Sequence, residues 1–207
     1  MNFYGHALVA GRAHDDAPFI LGAMAPDLLP LCGAVADQAT SVAVADGQAQ
    51  HHRVDALFHA NPTFLRLQTW TARALIDRGV ARGSARGAAH VGIELLLDGV
   101  LASDRNARRA YGNALAEADG AGAPFTWRDG LSERRWSQLI ARLRGGTIPE
   151  AYRDCDFVAD RVVGALQGRP RLAVSASEQP LVRAFLPALR ARVEAEADAL
   201  LAELTPA

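Results

Sequence analysis

The sequence predicts an all-α fold, a single-domain helical bundle of about seven to nine helices. Segments with apolar residues at helical spacing recur along the chain, whereas no stretch of strand-forming residues alternates between apolar and polar positions. A chain of 207 residues is long enough to bury a core without disulfide bonds or a structural metal. We therefore expect residues 1–207 to form one domain.

The helical segments are predicted from apolar spacing together with proline and glycine signals. Pro62 is a favourable first residue for a helix, and Gly145 with Gly146 ends another. In chain order, we expect helices over residues 49–58, 62–77, 88–101, 106–118, 132–144, 152–166 and 179–204, and either a first helix or a short buried run over residues 3–10.

The stretches between these helices carry weaker signals. Residues 33–49 are small and weakly periodic, which is typical of a loop or a short helix. Gly79, Gly83 and Gly87 predict a turn before the next helix, and residues 120–124 predict a loop.

Charge and composition argue against several classes of protein. The formal net charge is −1 at pH 7, and the charges are interspersed without the basic stripe that is typical of nucleic-acid binding. No apolar run reaches the roughly 18 residues of a membrane-spanning helix, and no targeting segment is evident. Cys32 and Cys155 are too few for a disulfide framework. We expect a soluble cytoplasmic protein without a nucleic-acid or membrane partner.

The segment from Ala88 to Leu101 carries three ionisable residues within an almost continuously apolar helix. His90, Glu94 and Asp98 are spaced four apart and therefore share one stripe of that helix. A buried carboxylate costs several kcal/mol unless it is paired or bound to a cation, and two carboxylates on one stripe repel each other. The stripe therefore predicts a nearby positive group, and on this segment alone a metal ion and an arginine explain it equally well.

A second stripe lies in the helix expected over residues 49–58. His51 and Asp55 are four apart on one face, and His52 lies beside Asp55. Two helices that each present histidine and carboxylate can form the walls of a metal site. These ligand types suit Mn, Fe, Zn or Mg, and such an ion polarises a phosphoryl oxygen and activates water. Arg53 would hold a phosphate if it faces the same cleft, and a solvated helix arginine explains it equally well.

The remaining histidines and Asp27 have ordinary explanations when each is taken alone. We interpret His14 and His59 as surface or hydrogen-bonded core histidines. His6 is a polar interruption of an apolar segment. Because a residue before proline is disfavoured in the helical region, Pro26 predicts a break, and Asp27 would then cap the apolar segment that follows.

Five short motifs occur along most of the chain. They are Met1-Asn2-Phe3-x-x-His6, Gly22-x-x-x-x-Asp27, His51-x-x-x-Asp55, Tyr152-Arg153-Asp154-x-Asp156-Phe157 and Arg169-Pro170-Arg171-Leu172. Together, in this order and at this spacing, they resemble the acyl carrier protein phosphodiesterase family. The opening hexapeptide and the segment over residues 152–157 are the most specific of the five.

The resemblance implies a helical fold related to the HD-domain metal phosphohydrolases. It also implies a divalent-metal-dependent hydrolase, commonly assayed with Mn, that releases 4′-phosphopantetheine from holo-acyl carrier protein. Asp27 would be a metal ligand or catalytic carboxylate, joined around the ion by His6, His51 and Asp55. Residues 152–157 would support the site without supplying ligands.

The chain departs from the family pattern within the site itself. Where the family has Asp-x-x-x-Asp-His on the central helix, this chain has His90-x-x-x-Glu94-Leu95. His52 stands where an arginine usually follows the histidine, and Pro26 precedes the site aspartate. Exchanging an aspartate for a histidine changes the charge of a metal site and can change the metal that it prefers.

The leading hypothesis is a metal-dependent hydrolase of acyl carrier protein or of a related phosphoester. Asp27 or Glu94 would transfer the proton, and Arg53 would neutralise the developing charge. The predicted metal ligands are His6, Asp27, His51, Asp55, His90 and Glu94, with His52 and Asp98 as outer residues or further ligands.

Two alternatives remain open from the sequence. A non-catalytic scaffold protein with a degenerate metal site would bind an acidic carrier-protein helix through an arginine-rich face, formed by Arg105, Arg108 and Arg109 or by Arg134 and Arg135. A zinc phospholipase-like hydrolase shares the ligand types but needs more histidines in its site.

Overall fold

The computed structural model describes residues 1–118, 124–202 and 204, and over that part of the chain it shows nine α-helices and one two-stranded sheet. The predicted all-α class is confirmed. The elements are α1 (Phe3–Ala13), α2 (Ala17–Cys32), β1 (Ala36–Ala39), α3 (Val42–Ala60), α4 (Pro62–Ile76), α5 (Arg82–Leu101), α6 (Arg105–Ala118), β2 (Phe125–Trp127), α7 (Gly130–Gly145), a 3-10 helix (Glu150–Arg153), α8 (Cys155–Leu166) and α9 (Gln179–Leu201).

Contacts divide the chain into two compact units. The first unit comprises Met1–Leu57, Leu101–Ile148 and Leu204–Ala207. The second unit comprises Phe58–Val100 and Pro149–Glu203.

The first unit is built on α1, α2 and α6, which pack against one another. Aromatic rings fill its core: Tyr4 meets Tyr111 edge-on, with ring centroids 5.1 Å apart. Strand β1 pairs antiparallel with β2, with Ala36 opposite Trp127. Because of this pairing, and because α3 begins at Val42, most of residues 33–49 have regular secondary structure. The sequence did not decide between a loop and a short helix there.

Helix α2 continues through two prolines, so the predicted break is wrong. Pro26 and Pro30 both lie inside the helix, and Asp27 between them is a mid-helix residue and not an N-cap. The physical reason is tertiary packing. Phe19 to Ala25 are all buried, and this burial offsets the roughly 3 kcal/mol by which each proline disfavours a helix interior.

Helices α2 and α3 approach each other at two glycines. A Cβ atom on Gly22 would lie 2.2 Å from the carbonyl oxygen of Val44, and one on Gly47 would lie 2.1 Å from the carbonyl oxygen of Phe19. Such distances are far below van der Waals contact, so neither position has room for a side chain. The backbones therefore lie close enough for His51, one turn beyond Gly47, to reach the α2 backbone.

The second unit contains α4, α8, α9 and most of α5. The turn predicted at three glycines is confirmed only at Gly79, which has a φ of 97°. Gly83 and Gly87 lie inside α5 because another segment packs closely against them. A Cβ atom on Gly83 would lie 2.0 Å from the carbonyl oxygen of Arg171, and one on Gly87 would lie 3.3 Å from Cβ of Leu172.

The other predicted helices agree with the structure to within a few residues. Asn61 caps α4 by accepting hydrogen bonds from two backbone amides of the first turn. The helix predicted over residues 152–166 begins as a 3-10 turn before α8. The loop predicted over residues 120–124 lies outside the described residues except for its last member. Within the described part of the chain, no helix combines the length and the apolar character needed to cross a bilayer.

Candidate metal centres

Two groups of metal-ligand-type residues occur among the described residues, one in each unit. The first-unit group consists of His6, Asp27 and His51. The second-unit group consists of His59, His90 and Glu94. Within each group, one ligand atom from every residue lies within 4.8 Å of the others. Five of the six ligands predicted from sequence divide between these two groups. The sixth, Asp55, belongs to neither, although its Oδ1 lies 3.7 Å from His6 Nε2.

Helix α1 contributes a deeply buried histidine to the first-unit group. His6 is 1% exposed, and its ring stacks on that of His51 with centroids 3.9 Å apart. His6 Nε2 lies 4.0 Å from Asp27 Oδ2 and 3.7 Å from Asp55 Oδ1. Over the described ranges this nitrogen has no hydrogen-bond partner. A buried ring nitrogen of this kind, directed towards two carboxylates, suits a cation between them.

The backbone of α2 fixes the orientation of His51. His51 Nδ1 donates a hydrogen bond to the carbonyl oxygen of Ala23 at 2.9 Å. With the proton held on Nδ1, the lone pair on Nε2 is available to a metal. Burial lowers the pKa of His51 to about 3, with a further contribution from the charge of His6, so the ring is neutral near pH 7 as a ligand must be.

The first-unit group fits a divalent ion after a small closure. Two ligands held about 2.1 Å from one ion lie roughly 3.0–3.4 Å apart, whereas His6 Nε2 and Asp27 Oδ2 are 4.0 Å apart. The side chains of Asp27 and Asp55 are 26% and 32% exposed, so neither is fully enclosed by the protein. The α-amino group of Met1 donates to Asp55 Oδ1 at 2.8 Å, so an ammonium group already balances the charge of this carboxylate.

Glu94 is the centre of the second-unit group. His59 Nε2 lies 3.0 Å and His90 Nε2 3.3 Å from Glu94 Oε1. The two imidazole rings stack with centroids 4.7 Å apart, and both contact the ring of Phe64. Burial alone would raise the pKa of Glu94, but the net shift of this pKa is downward. Within the second unit, the hydrogen bonds from His59 and His90 lower the pKa of Glu94.

His59 was not predicted as a site residue from the sequence. Its spacing of four from Asp55 extends the helical face that begins at His51, and this was the available signal. The carboxylate that His59 contacts, Glu94, lies on α5. Helical spacing within α3 cannot show where α5 lies.

The other predicted site residues lie outside both groups. His52 and Arg53 are exposed. Arg53 lines a surface cavity of about 480 Å³ together with His14, and neither His6 nor His51 borders it. Asp98 is fully buried on the same stripe as Glu94. Arg53 therefore does not share that surface cavity with His6 or His51.

The neutral histidines of the first unit predict acid sensitivity of the metal-free protein. Burial lowers the pKa of both His6 and His51, so the unfolded state binds protons more readily as the pH falls below about 6.5. The free energy of unfolding should therefore fall through that window, by up to about 1.4 kcal/mol per pH unit for each histidine.

Urea denaturation of EDTA-treated protein from about pH 7 to about pH 5 measures this slope. We expect the free energy of unfolding of His51→Gln to depend less steeply on pH than that of the wild type, by up to about 1.4 kcal/mol per pH unit. His14→Gln, at an exposed position, should keep the full slope. Equal slopes for the wild type and His51→Gln would contradict the prediction.

No family model matches the chain, and neither a curated protein nor a solved structure matches it. The fold and the geometry of the described residues define an all-α protein with two groups of metal-ligand-type side chains.

Proposed function

We propose that the protein is a divalent-metal-dependent phosphoester hydrolase of the acyl carrier protein phosphodiesterase type. The observation that carries the proposal is the first-unit group, in which His6, Asp27 and His51 come from three different helices and converge. These are the positions at which the sequence motifs resemble that family. A solvated helix face or a hydrophobic core would not explain why two neutral, buried imidazoles point at carboxylates.

Each residue has a role that follows from its environment. His6, Asp27 and His51 would hold a divalent ion, with Mn preferred by resemblance and Fe, Zn or Mg as candidates with similar ligands. When bound, the ion would stabilise negative charge on a phosphoryl group and activate water. The carbonyl of Ala23 keeps the Nε2 lone pair of His51 available. Asp55, 3.7 Å from His6 Nε2 and partly exposed, would accept the proton of the attacking water.

Turnover with and without metal tests the proposal. EDTA-treated protein is assayed with bis(p-nitrophenyl) phosphate and with holo-acyl carrier protein, whose loss of 4′-phosphopantetheine is followed by mass spectrometry. We expect activity to return with Mn²⁺ and to be lost in His51→Ala, while His14→Ala stays active because that residue is exposed and outside both groups. No turnover of either substrate with Mn²⁺, Fe²⁺, Zn²⁺ or Mg²⁺ would refute the proposal.

The scaffold alternative predicts binding without turnover. Arg105, Arg108 and Arg109 are exposed on α6, and a stable complex with acyl carrier protein that survives in His51→Ala would favour it. We also propose a cytoplasmic location, because Cys32 and Cys155 are both free thiols, as a reducing compartment would keep them.

A further inference from the structure

Two of the three ligand separations in the second-unit group already match those of a metal site. Ligands bound at about 2.1 Å to one ion lie roughly 3.0–3.4 Å apart in tetrahedral or octahedral geometry. The separations of 3.0 Å from His59 Nε2 to Glu94 Oε1 and 3.3 Å from His90 Nε2 to the same oxygen both fall in this range. Two imidazoles and one carboxylate form the ligand set of many catalytic zinc and non-haem iron sites.

Neighbouring side chains hold these ligands in place. Phe64 is 1% exposed and forms an apolar wall against both imidazole rings. The side-chain amide of Gln68 lies 3.1 Å from His90 Nδ1. An amide can present either its oxygen or its nitrogen, and when its oxygen accepts from Nδ1–H, the Nε2 lone pair of His90 is available to a metal.

The same histidine borders a cavity that carries positive charge. The cavity has a volume of about 260 Å³ and is lined by His90, Gln68, Arg86 and Arg169 among others. Arg86 lies one turn before His90 on α5. The close packing at Gly83 and Gly87 brings the segment that contains Arg169 to the same helix.

The side chains of Arg86 and Arg169 are both exposed. Within residues 1–118, 124–202 and 204, no carboxylate lies within pairing distance of Arg86 or Arg169. Two arginines beside one imidazole of a three-ligand group favour an oxyanion, because guanidinium groups bind phosphate-like groups in bidentate fashion.

We propose that His59, His90 and Glu94 form a second metal site for an ion such as Zn²⁺ or Fe²⁺, whose exogenous ligand is a phosphate-like oxyanion held by Arg86 and Arg169. The site goes beyond the proposed hydrolase centre, since none of its three ligands belongs to the first-unit group. Its test requires no turnover, so its failure and the failure of the proposed function are separate outcomes.

Zinc content tests the metal part of the proposal. The His51→Gln variant, in which the first-unit group lacks one ligand, is treated with EDTA, reloaded with Zn²⁺, desalted and analysed by plasma mass spectrometry. We expect this variant to retain one tightly bound zinc per chain, and the double variant His51→Gln with Glu94→Gln to lose it. The matched control is His51→Gln with His14→Gln, which should keep the zinc.

Circular dichroism checks that each variant is folded, and His90→Gln removes the site independently if Glu94→Gln does not fold. Equal zinc content with and without an intact second-unit group would overturn the proposal, as would a His51→Gln variant that binds no zinc.

Phosphate titration of the Co²⁺-loaded His51→Gln protein tests the anion part. Binding of inorganic phosphate should change the visible absorption of the Co²⁺ ion. Combining Arg86→Gln with Arg169→Gln should raise the Kd for phosphate roughly tenfold or more. Arg171→Gln alters a nearby exposed arginine that does not line the cavity and should leave the Kd unchanged. An unchanged spectrum, or equal affinities in both variants, would overturn this part.

Discussion

Replacing Asp27 with asparagine is expected to lower the Mn²⁺-dependent kcat/KM for bis(p-nitrophenyl) phosphate by roughly a hundredfold or more. Asparagine has the size of aspartate but no negative charge, so the first-unit group would keep its shape and lose the only carboxylate among its three ligands. We expect the affinity for Mn²⁺ to weaken as well, as measured by calorimetric titration.

The matched control for this change is Asp16→Asn. Asp16 flanks the same helix at its beginning, is exposed, and makes no side-chain capping hydrogen bond. Its replacement removes one negative charge from the same unit without touching the ligands, so activity and Mn²⁺ affinity should remain. If Asp27→Asn were as active as Asp16→Asn, Asp27 would not be a ligand.

The largest effect on stability is expected from Gly47→Ala, which should lower the free energy of unfolding by at least about 3 kcal/mol. The added Cβ would lie 2.1 Å from the carbonyl oxygen of Phe19 and 2.8 Å from the amide nitrogen of Ala23. Both are backbone atoms that cannot rotate away, so α2 and α3 must separate. Denaturant unfolding measures the loss, and His51 should also lose its hydrogen bond to α2.

Gly112→Ala, in the same unit, is expected to have the opposite effect on the free energy of unfolding. Gly112 lies inside α6, where a Cβ atom would meet nothing within 4 Å. Alanine should therefore raise the stability by about 0.5–1 kcal/mol through its better helix propensity. If the two substitutions had similar effects, the close approach of α2 and α3 would not explain the requirement for glycine at position 47.

Local signals were sufficient for much of the fold. Helix α4 begins at Pro62 as predicted, because Asn61 and Pro62 form a start signal that depends on neighbours in the sequence. The interior prolines of α2 and the interior glycines of α5 were misread for the opposite reason. Their effect is decided by partners far along the chain, such as the segment that packs on Gly83.

The candidate sites show the same division between local and distant information. The spacing of four places His51 with Asp55 and His90 with Glu94, and the structure keeps each pair on one helix. Which residues complete each group is a matter of helix placement. The position of His59 against Glu94 follows from the packing of the second unit, and no spacing within α3 could have predicted it.

Helix α2 would not be helical as an isolated peptide, because two interior prolines remove backbone donors and clash with preceding carbonyls. Its conformation depends on packing against α1 and α6. Asp27 lies between these prolines, and Ala23, which fixes the His51 ring, lies just before them. In a loosened state that keeps most of its secondary structure, the first-unit group would already be dispersed. Metal affinity would then report on tertiary order in this unit, to which far-ultraviolet circular dichroism is insensitive.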